Sequence, residues 1–245
     1  MARWIKTEVR HMIADAITPV VSAAGFRFKR TSEAFVRKIE GGRQELGLPL
    51  VDYNPVFEFS LTLCIRLEPV QEITNRFSGS PAKYHSKTLT SITQLEFLGL
   101  SAEPGRGVRF RVASEEELTA ALPGVLTMTR ERVLPFFAEY RDIAAVNRGL
   151  NPEGAERVFR IAGFPDRRAF DATNQPYRAM TGVAVAHLAH DPRLSALIQA
   201  YRSQISEMQE HDRLKFENLV NYVTANVTAL QVPVEAETPE VGPGR

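Results

Sequence analysis

The feature that most constrains this chain is a change in the spacing of its apolar residues at Ser114. Between residue 26 and this point, several segments alternate apolar with polar residues, which is the period of a strand with one buried face. After it, they recur every three to four residues, as in amphipathic helices. Strands followed by helices in one chain are typical of the α+β class. We therefore predict an antiparallel sheet packed on an N-terminal helix, followed by a mostly helical C-terminal half.

The first 51 residues predict that helix and a hairpin. Residues 4–24 carry apolar side chains at helical spacing, and Gly25 follows as a C-terminal cap, although Pro19 is expected to kink or shorten the last turn. Two strands between residues 34 and 51 are joined through a Gly-Gly turn. Because Pro49 has no N–H to donate, it predicts an edge position or a break in the second strand.

The clearest strand pattern covers Val56 to Leu67. Its odd-numbered residues are apolar, whereas its even-numbered residues include Glu58, Thr62 and Arg66. This alternation predicts one continuous strand with a buried face and a solvated face. A short last strand over 108–112 shows the same alternation.

The C-terminal half predicts a series of helices. Ser114 and Glu117 fit a capping box, and Pro123-Gly124 is expected to end that first helix early. Further helices are predicted over 135–148, after Asn151 and from Pro176. The last helix, from Asp191-Pro192 to Leu230, would extend roughly 58 Å if unbroken, so a bend near residues 207–215 is expected. We predict a sheet domain at 1–113, a helical subdomain at 114–230 and a disordered tail at 231–245.

Composition excludes several classes of protein. The 245 residues hold 30 basic and 29 acidic side chains, so a wholly basic nucleic-acid-binding protein is disfavoured. The single cysteine, Cys64, excludes an internal disulfide and a cysteine-based zinc site, and it fits a reducing compartment. No run approaches the roughly 18 apolar residues of a membrane span. A cytoplasmic location without membrane contact is therefore expected.

The order of elements, together with three short segments, resembles an uncharacterised bacterial family. A helix that ends in Gly-Phe-Arg-Phe-Lys-Arg over 25–30 is followed by Phe-Val-Arg-Lys over 35–38 and by the strand from Phe57 to Leu67. A helical segment that begins with Leu-Pro-Phe-Phe over 134–137 comes next. In this respect the chain, over residues 5–150, is similar to domain-of-unknown-function family 4304 (DUF4304). The resemblance implies a helix packed on a meandering sheet. It implies no catalytic residue, because the family has no assigned activity.

Catalytic and metal-binding motifs are weak in this sequence. The nucleophile elbow, the phosphate-binding loop and the zinc-protease helix are all missing from it. Cys64 on a strand is more consistent with packing than with nucleophilic chemistry. His187 and His190 share a helical face, but a metal site needs a further ligand, for which His211 is the candidate. We predict neither a catalytic residue nor a metal or other cofactor.

One candidate binding surface can be assembled from the strands. If their apolar sides pack on the helices, alternation turns a set of basic side chains outward, partly compensated by Glu58. This candidate anion-binding or partner-binding set consists of Arg27, Lys29, Arg66, Arg109 and Arg111.

These observations lead to three functional hypotheses. The first is a non-enzymatic protein-protein interaction or adaptor module, which binds through the basic sheet face or the helical subdomain. The alternative is nucleic-acid or nucleotide binding through the basic face, which predicts a steep loss of affinity with added salt. The third is an enzyme of unrecognised type with a concave site that holds His187 or Cys64. A homodimer through the apolar stripe of the long C-terminal helix is a further expectation.

Overall fold

The computed structural model describes residues 5–95, 109–152 and 175–230, with side chains up to residue 225. It confirms the α+β class: an N-terminal helix, antiparallel strands and a mostly helical C-terminal half. The described strands are β1 Arg27–Lys29, β2 Ala34–Ile39, β3 Gly42–Gly47, β4 Leu50–Asp52, β5 Phe57–Phe59, β6 Thr62–Leu67, β7 Ser91–Gln94 and β8 Phe110–Val112. The described helices are α1 Lys6–Ala23, α2 Glu68–Phe77, α3 Ala82–His85, α4 Glu115–Met128, α5 Leu134–Glu139, α6 Ile143–Leu150, α7 Tyr177–Leu188, α8 Leu194–Gln204 and α9 Glu210–Leu230, and a π-helical turn, Thr129–Val133, joins α4 to α5.

The strands form two sheets that share one long two-stranded ribbon. The larger sheet has the order β1-β2-β3-β6-β7 and the smaller one has the order β4-β5-β8. Pairing runs from Gly42 opposite Leu67 to Gly47 opposite Thr62, and it resumes with Leu50 opposite Phe59 in the same register. β7 and β8 pair with the ribbon along the same edge, β7 on β6 and β8 on β5.

The ribbon changes from one sheet to the other at Pro49. The predicted break there is confirmed, since β3 ends at Gly47 and β4 begins at Leu50. The predicted single strand over 56–67 is wrong, because β5 ends at Phe59 and β6 begins at Thr62. Across the gap, the amide of Ser60 still donates to the carbonyl of Pro49 over 3.3 Å. Without an N–H at Pro49, the ladder cannot continue regularly on both sides of the ribbon.

The face of the ribbon that was expected to be solvated is largely covered. The odd-numbered residues from Phe57 to Leu67 are buried as predicted, but Glu58, Ser60, Cys64 and Arg66 are buried as well. One end of this second face is overlaid by the segment that follows α3. Arg66 donates to the carbonyls of His85 and Thr88 there, which explains its burial.

Two helices continue through prolines that were expected to disrupt them. Helix α1 contains Pro19 and ends four residues later, at Ala23. Helix α4 contains Pro123 and continues to Met128, so the predicted early end is wrong. Two apolar side chains on either side of Pro123, Leu118 and Val125, are fully buried, and their packing offsets the lost hydrogen bond.

Two other predicted helices are divided. The helix predicted over 135–148 ends at Glu139 and restarts at Ile143, because Asp142 caps the new segment by accepting from the amide of Ala145 at 2.8 Å. The long C-terminal helix is interrupted between Gln204 and Glu210, which overlaps the bend predicted near residues 207–215, so the extended rod does not form. The helix predicted after Asn151 and the tail lie outside the described residues.

The sheet and the helices share one core. Buried Gln44 of β3 donates to the carbonyls of Phe137 and Tyr140 at 2.8 and 3.0 Å, and the rings of Phe26 and Phe137 lie 5.0 Å apart. The apolar stripe of α9 is also buried within the chain: Phe216, Leu219, Val220 and Val223. The homodimer through the long C-terminal helix stays a prediction. It would need another surface of that helix, because this stripe is already buried within the chain.

Candidate functional site

The register places the five predicted basic residues on the same side of the strands, but in three separate places. Arg27 lies in the cross-strand row of Cys64, and Lys29 lies in the row of Thr62. Arg66 lies at the far end of β6, whereas Arg111 pairs with Glu58 at the opposite end of the ribbon. The side of the sheet was thus predicted from alternation, but a single cluster does not form.

Arg66 is a structural residue and does not point outward. Its guanidinium forms two hydrogen bonds with the Glu68 carboxylate, at 2.7 and 2.6 Å. It also donates to Thr88 Oγ1 at 2.9 Å, in addition to the two carbonyls already described. Because these contacts occupy the guanidinium, the prediction that Arg66 belongs to an outward binding surface is wrong.

Arg27 and Lys29 lie on β1, an edge strand of the larger sheet, and both are exposed. Arg27 Nη1 donates to the carbonyl of Phe26 at 3.2 Å and to that of Ser22 at 3.4 Å. These local contacts hold the Arg27 guanidinium beside the C-terminal end of α1. The edge is therefore basic, but the described contacts there do not arrange Arg27 and Lys29 into a binding site.

Arg109 and Arg111 form the best-defined charged group on the predicted surface. Arg109 Nη1 donates to Glu58 Oε1 at 2.9 Å, and Arg111 Nε donates to Glu58 Oε2 at 2.8 Å. The Glu58 side chain is 7% exposed, whereas those of Arg109 and Arg111 are 51% and 72% exposed. Hydrogen bonds from Arg111, then from Arg109, lower the pKa of the Glu58 carboxyl, so it stays ionised.

Exposed apolar residues lie beside this group on the same side of the smaller sheet. Val51 is opposite Glu58, which is opposite Arg111, so the three form one cross-strand row. Tyr53 lies two residues after Val51, where its amide donates to the carbonyl of Val56 at 2.8 Å, and both side chains are exposed. We name the set Val51, Tyr53, Glu58, Arg109 and Arg111 the outer face of the smaller sheet.

The apolar part of this face was not predicted from the sequence. Val51 and Tyr53 alternate with Leu50 and Asp52, so their common side could have been recognised from the period-two pattern. Their proximity to Arg111 could not have been recognised from the sequence, because it depends on the pairing of β8 with β5.

The histidines and the cysteine do not form a chemical site in the described part of the chain. Cys64 is buried on the sheet. Burial, and secondarily His190, lower the pKa of His187. His211 Nε2 lies 3.2 Å from Asp212, while Asp191 is engaged by Arg193. Among the residues described, no three histidine, cysteine, aspartate or glutamate side chains converge as metal ligands do.

A groove of about 760 Å³ lies where β2, the start of α2 and the start of α6 meet. Polar and charged lining comes from Glu40, Arg141 and Asp142, and the described lining includes neither His187 nor Cys64. Asp142 is already engaged as the cap of α6. The two residues that were considered for catalysis therefore do not meet in this concave site.

None of the described helices combines the length and the apolar character that crossing a membrane requires. No model of a known protein family, no curated protein and no solved structure matches this chain. The resemblance to family 4304 therefore stays a prediction, and the interpretation of the site depends on its own geometry.

Proposed function

We propose that this chain is a non-enzymatic interaction module, an adaptor, that binds an acidic partner protein through the outer face of the smaller sheet. One observation supports the proposal above all. Two arginines that are more than half exposed are fixed from below by a single buried carboxylate, Glu58. A carboxylate so placed orients both guanidinium groups before a partner arrives.

This arrangement favours binding because less side-chain freedom is lost when the partner docks. Arg111 uses its Nε for Glu58, while its terminal nitrogens belong to a side chain that is 72% exposed. Such a group can form paired hydrogen bonds with an aspartate or glutamate of a partner. The cluster of Arg109, Arg111 and Glu58 carries one net positive charge, which complements an acidic surface.

The apolar residues of the face favour a protein as the partner. Tyrosine and arginine, together with tryptophan, are enriched among the residues that dominate protein interfaces. Tyr53 and Val51 supply exposed apolar area directly beside the charged group. A patch with apolar and cationic parts fits a partner segment in which an acidic residue accompanies an apolar one.

The proposal is tested by capturing partners from the native cell lysate with the tagged full-length chain, with and without nuclease. The variant is Arg109→Gln with Arg111→Gln, because reversal to glutamate would place new carboxylates beside buried Glu58. The matched control is Arg130→Gln with Arg132→Gln, which removes the same charge from two exposed arginines of the π-helical turn.

We expect to capture a partner protein whose binding persists after nuclease treatment and is unchanged for the control variant. Its affinity for the test variant should be roughly thirtyfold weaker, which corresponds to a loss of about 2 kcal/mol in binding free energy. Equal capture by variant and control would contradict the role of this face. Recovery of nucleic acid that disappears with nuclease and with added salt would favour the alternative hypothesis instead.

A further inference from the structure

The segment between α2 and β7 forms a second charged surface, remote in sequence from Arg109 and Arg111. Residues 73–95 contain Arg76, Lys83 and Lys87, together with His85, and no acidic residue, while exposed Glu72 lies one helical turn before Arg76 on α2. All three cationic side chains belong to exposed residues. The local charge is therefore positive in a chain whose overall charge is close to zero.

The turn Ser78-Gly79-Ser80 lies at the centre of this surface. On one side, Tyr177 Oη donates to the carbonyl of Ser78 at 3.3 Å. The side chain of Lys215 passes over Gly79, with Lys215 Cε 3.4 Å from where a Cβ would lie. On the other side, His85 Nε2 lies 2.7 Å from the carbonyl of Ser80. These contacts join α3, α7 and α9 into one continuous patch.

Two tyrosine rings are presented on this patch. Tyr84 is 47% exposed and Tyr177 is 39% exposed. Lys83 Nζ lies 5.0 Å from the centre of the Tyr84 ring, so a cation and an aromatic face are adjacent. Asp212, the acidic neighbour of Lys215, is engaged by Lys215 at 3.0 Å and by His211 at 3.2 Å.

We propose that this basic aromatic patch binds single-stranded nucleic acid. Bases stack on exposed aromatic rings whatever their sequence, while lysine and arginine contact the phosphates. Tyr84 and Tyr177 supply the rings, and Arg76, Lys83 and Lys87 supply the cations. The combination of two exposed rings with three cations matches the alternation of bases and phosphates along an unpaired strand.

The proposal is independent of the adaptor function, because it uses none of the residues of the outer face of the smaller sheet. It also differs from the nucleic-acid hypothesis of the sequence analysis, which placed the contacts on Arg66, Arg109 and Arg111. The two surfaces can therefore be tested separately by substitution.

The test is fluorescence anisotropy of the full-length chain with labelled twelve-nucleotide oligo-dT and oligo-rU at low salt. We expect saturable binding. The logarithm of the association constant should fall linearly with the logarithm of the salt concentration, with a slope of about −2, as three phosphate contacts on a single strand predict. The stronger of the two oligonucleotides identifies DNA or RNA as the natural strand.

Substitution localises the site. Tyr84→Ala should weaken binding roughly tenfold, the effect of one lost stacking contact, whereas Tyr84→Phe should retain it. The matched control is Tyr53→Ala, which removes an exposed tyrosine from the other surface and should leave binding unchanged. Arg109→Gln with Arg111→Gln should also leave it unchanged.

Several results would overturn the proposal. They are the lack of saturable binding to either oligonucleotide, equal affinity for a twelve-base-pair duplex, and equal loss with Tyr84→Ala and Tyr53→Ala. Stronger binding to anionic phospholipid vesicles or to a poly-aspartate peptide than to oligonucleotides would assign the patch to a membrane or to a protein, and would overturn it as well.

Discussion

At the scale of single residues, Gly182 is a position where the described chain tolerates little change. A Cβ at this position in α7 would lie 2.1 Å from Tyr201 Oη and 2.4 Å from Cζ. Tyr201 is fully buried and donates to Asn151 Oδ1 at 2.8 Å, while Asn151 Nδ2 donates to the carbonyl of Gly182 at 2.9 Å. The glycine thus permits a closed, buried hydrogen-bond network.

We expect Gly182→Ala to lower the free energy of unfolding by about 3 kcal/mol, because the core must shift to admit the methyl group. Gly124→Ala is the control: its Cβ would meet only Phe110 at 3.9 Å, and alanine should stabilise helix α4 by roughly 1 kcal/mol. Urea unfolding monitored by circular dichroism measures both. Equal effects of the two substitutions would refute the close approach to Tyr201.

Asp191 gives a pH-dependent prediction at the same scale. Hydrogen bonds from Arg193, with smaller help from Asn147, lower the pKa of Asp191 to about 2. Since this folded value lies below the usual value of an unfolded aspartate, ionised Asp191 stabilises the fold above about pH 4, and this contribution is lost as the pH falls towards 2.

Asp191→Asn should therefore be less stable than the unsubstituted chain by about 2 kcal/mol at neutral pH, and the difference should shrink between about pH 4 and pH 2. Urea titrations at a series of pH values measure it. A difference that is constant over the whole range would show that the charge of Asp191 does not contribute.

At the scale of elements, the helix starts were more predictable than the helix ends. The Ser114 cap of α4 is confirmed, since Ser114 Oγ accepts from the amide of Glu117 at 3.2 Å. The return bond of the predicted capping box is displaced by one residue, because Glu117 Oε2 accepts from the amide of Ala113 at 2.7 Å and not from that of Ser114. A cap is a local interaction of a few neighbouring residues, so the sequence reveals it. Pro123 did not end the same helix, because distant packing decided that outcome.

Ser114→Ala should lower the free energy of unfolding by about 1 kcal/mol, since the amide of Glu117 loses its side-chain acceptor. Thr127→Ala, at an exposed position on the same helix, should have no cost. Thermal unfolding compares the two variants. If Thr127→Ala destabilised the chain as much as Ser114→Ala, the loss could not be assigned to the cap.

At the scale of the whole molecule, the sheet depends on the helices for part of its hydrogen bonding. Gln44 is fully buried and donates to carbonyls of α5 and the residue that follows it, and Arg37 Nη2 donates to the carbonyl of Phe137 at 3.1 Å. Polar groups that are buried without such partners are costly. The division of the chain at residue 113 stays a prediction, and these contacts cross it.

A fragment of residues 1–113 should therefore fail to unfold cooperatively, because Gln44 and the Phe26 ring would lose their partners in α5. Circular dichroism and urea titration of the fragment, beside the full chain as control, measure this. A sharp transition in the fragment would instead establish the sheet as an independent domain.

What the sequence determined by itself was periodic or local. The fold class, the side of the ribbon on which Arg27, Arg66 and Arg111 lie, the break at Pro49 and the cap at Ser114 all follow from alternation, helical spacing or neighbouring residues. Tertiary structure decided which of these side chains are accessible. Arg66 is covered by the segment after α3, whereas Arg111 stays exposed above Glu58, because strand pairing and loop packing join residues far apart in the chain. Long-range contacts of this kind leave no periodic signal. Only the folded chain therefore divides the predicted basic face into buried Arg66, the edge strand β1 and the outer face of the smaller sheet.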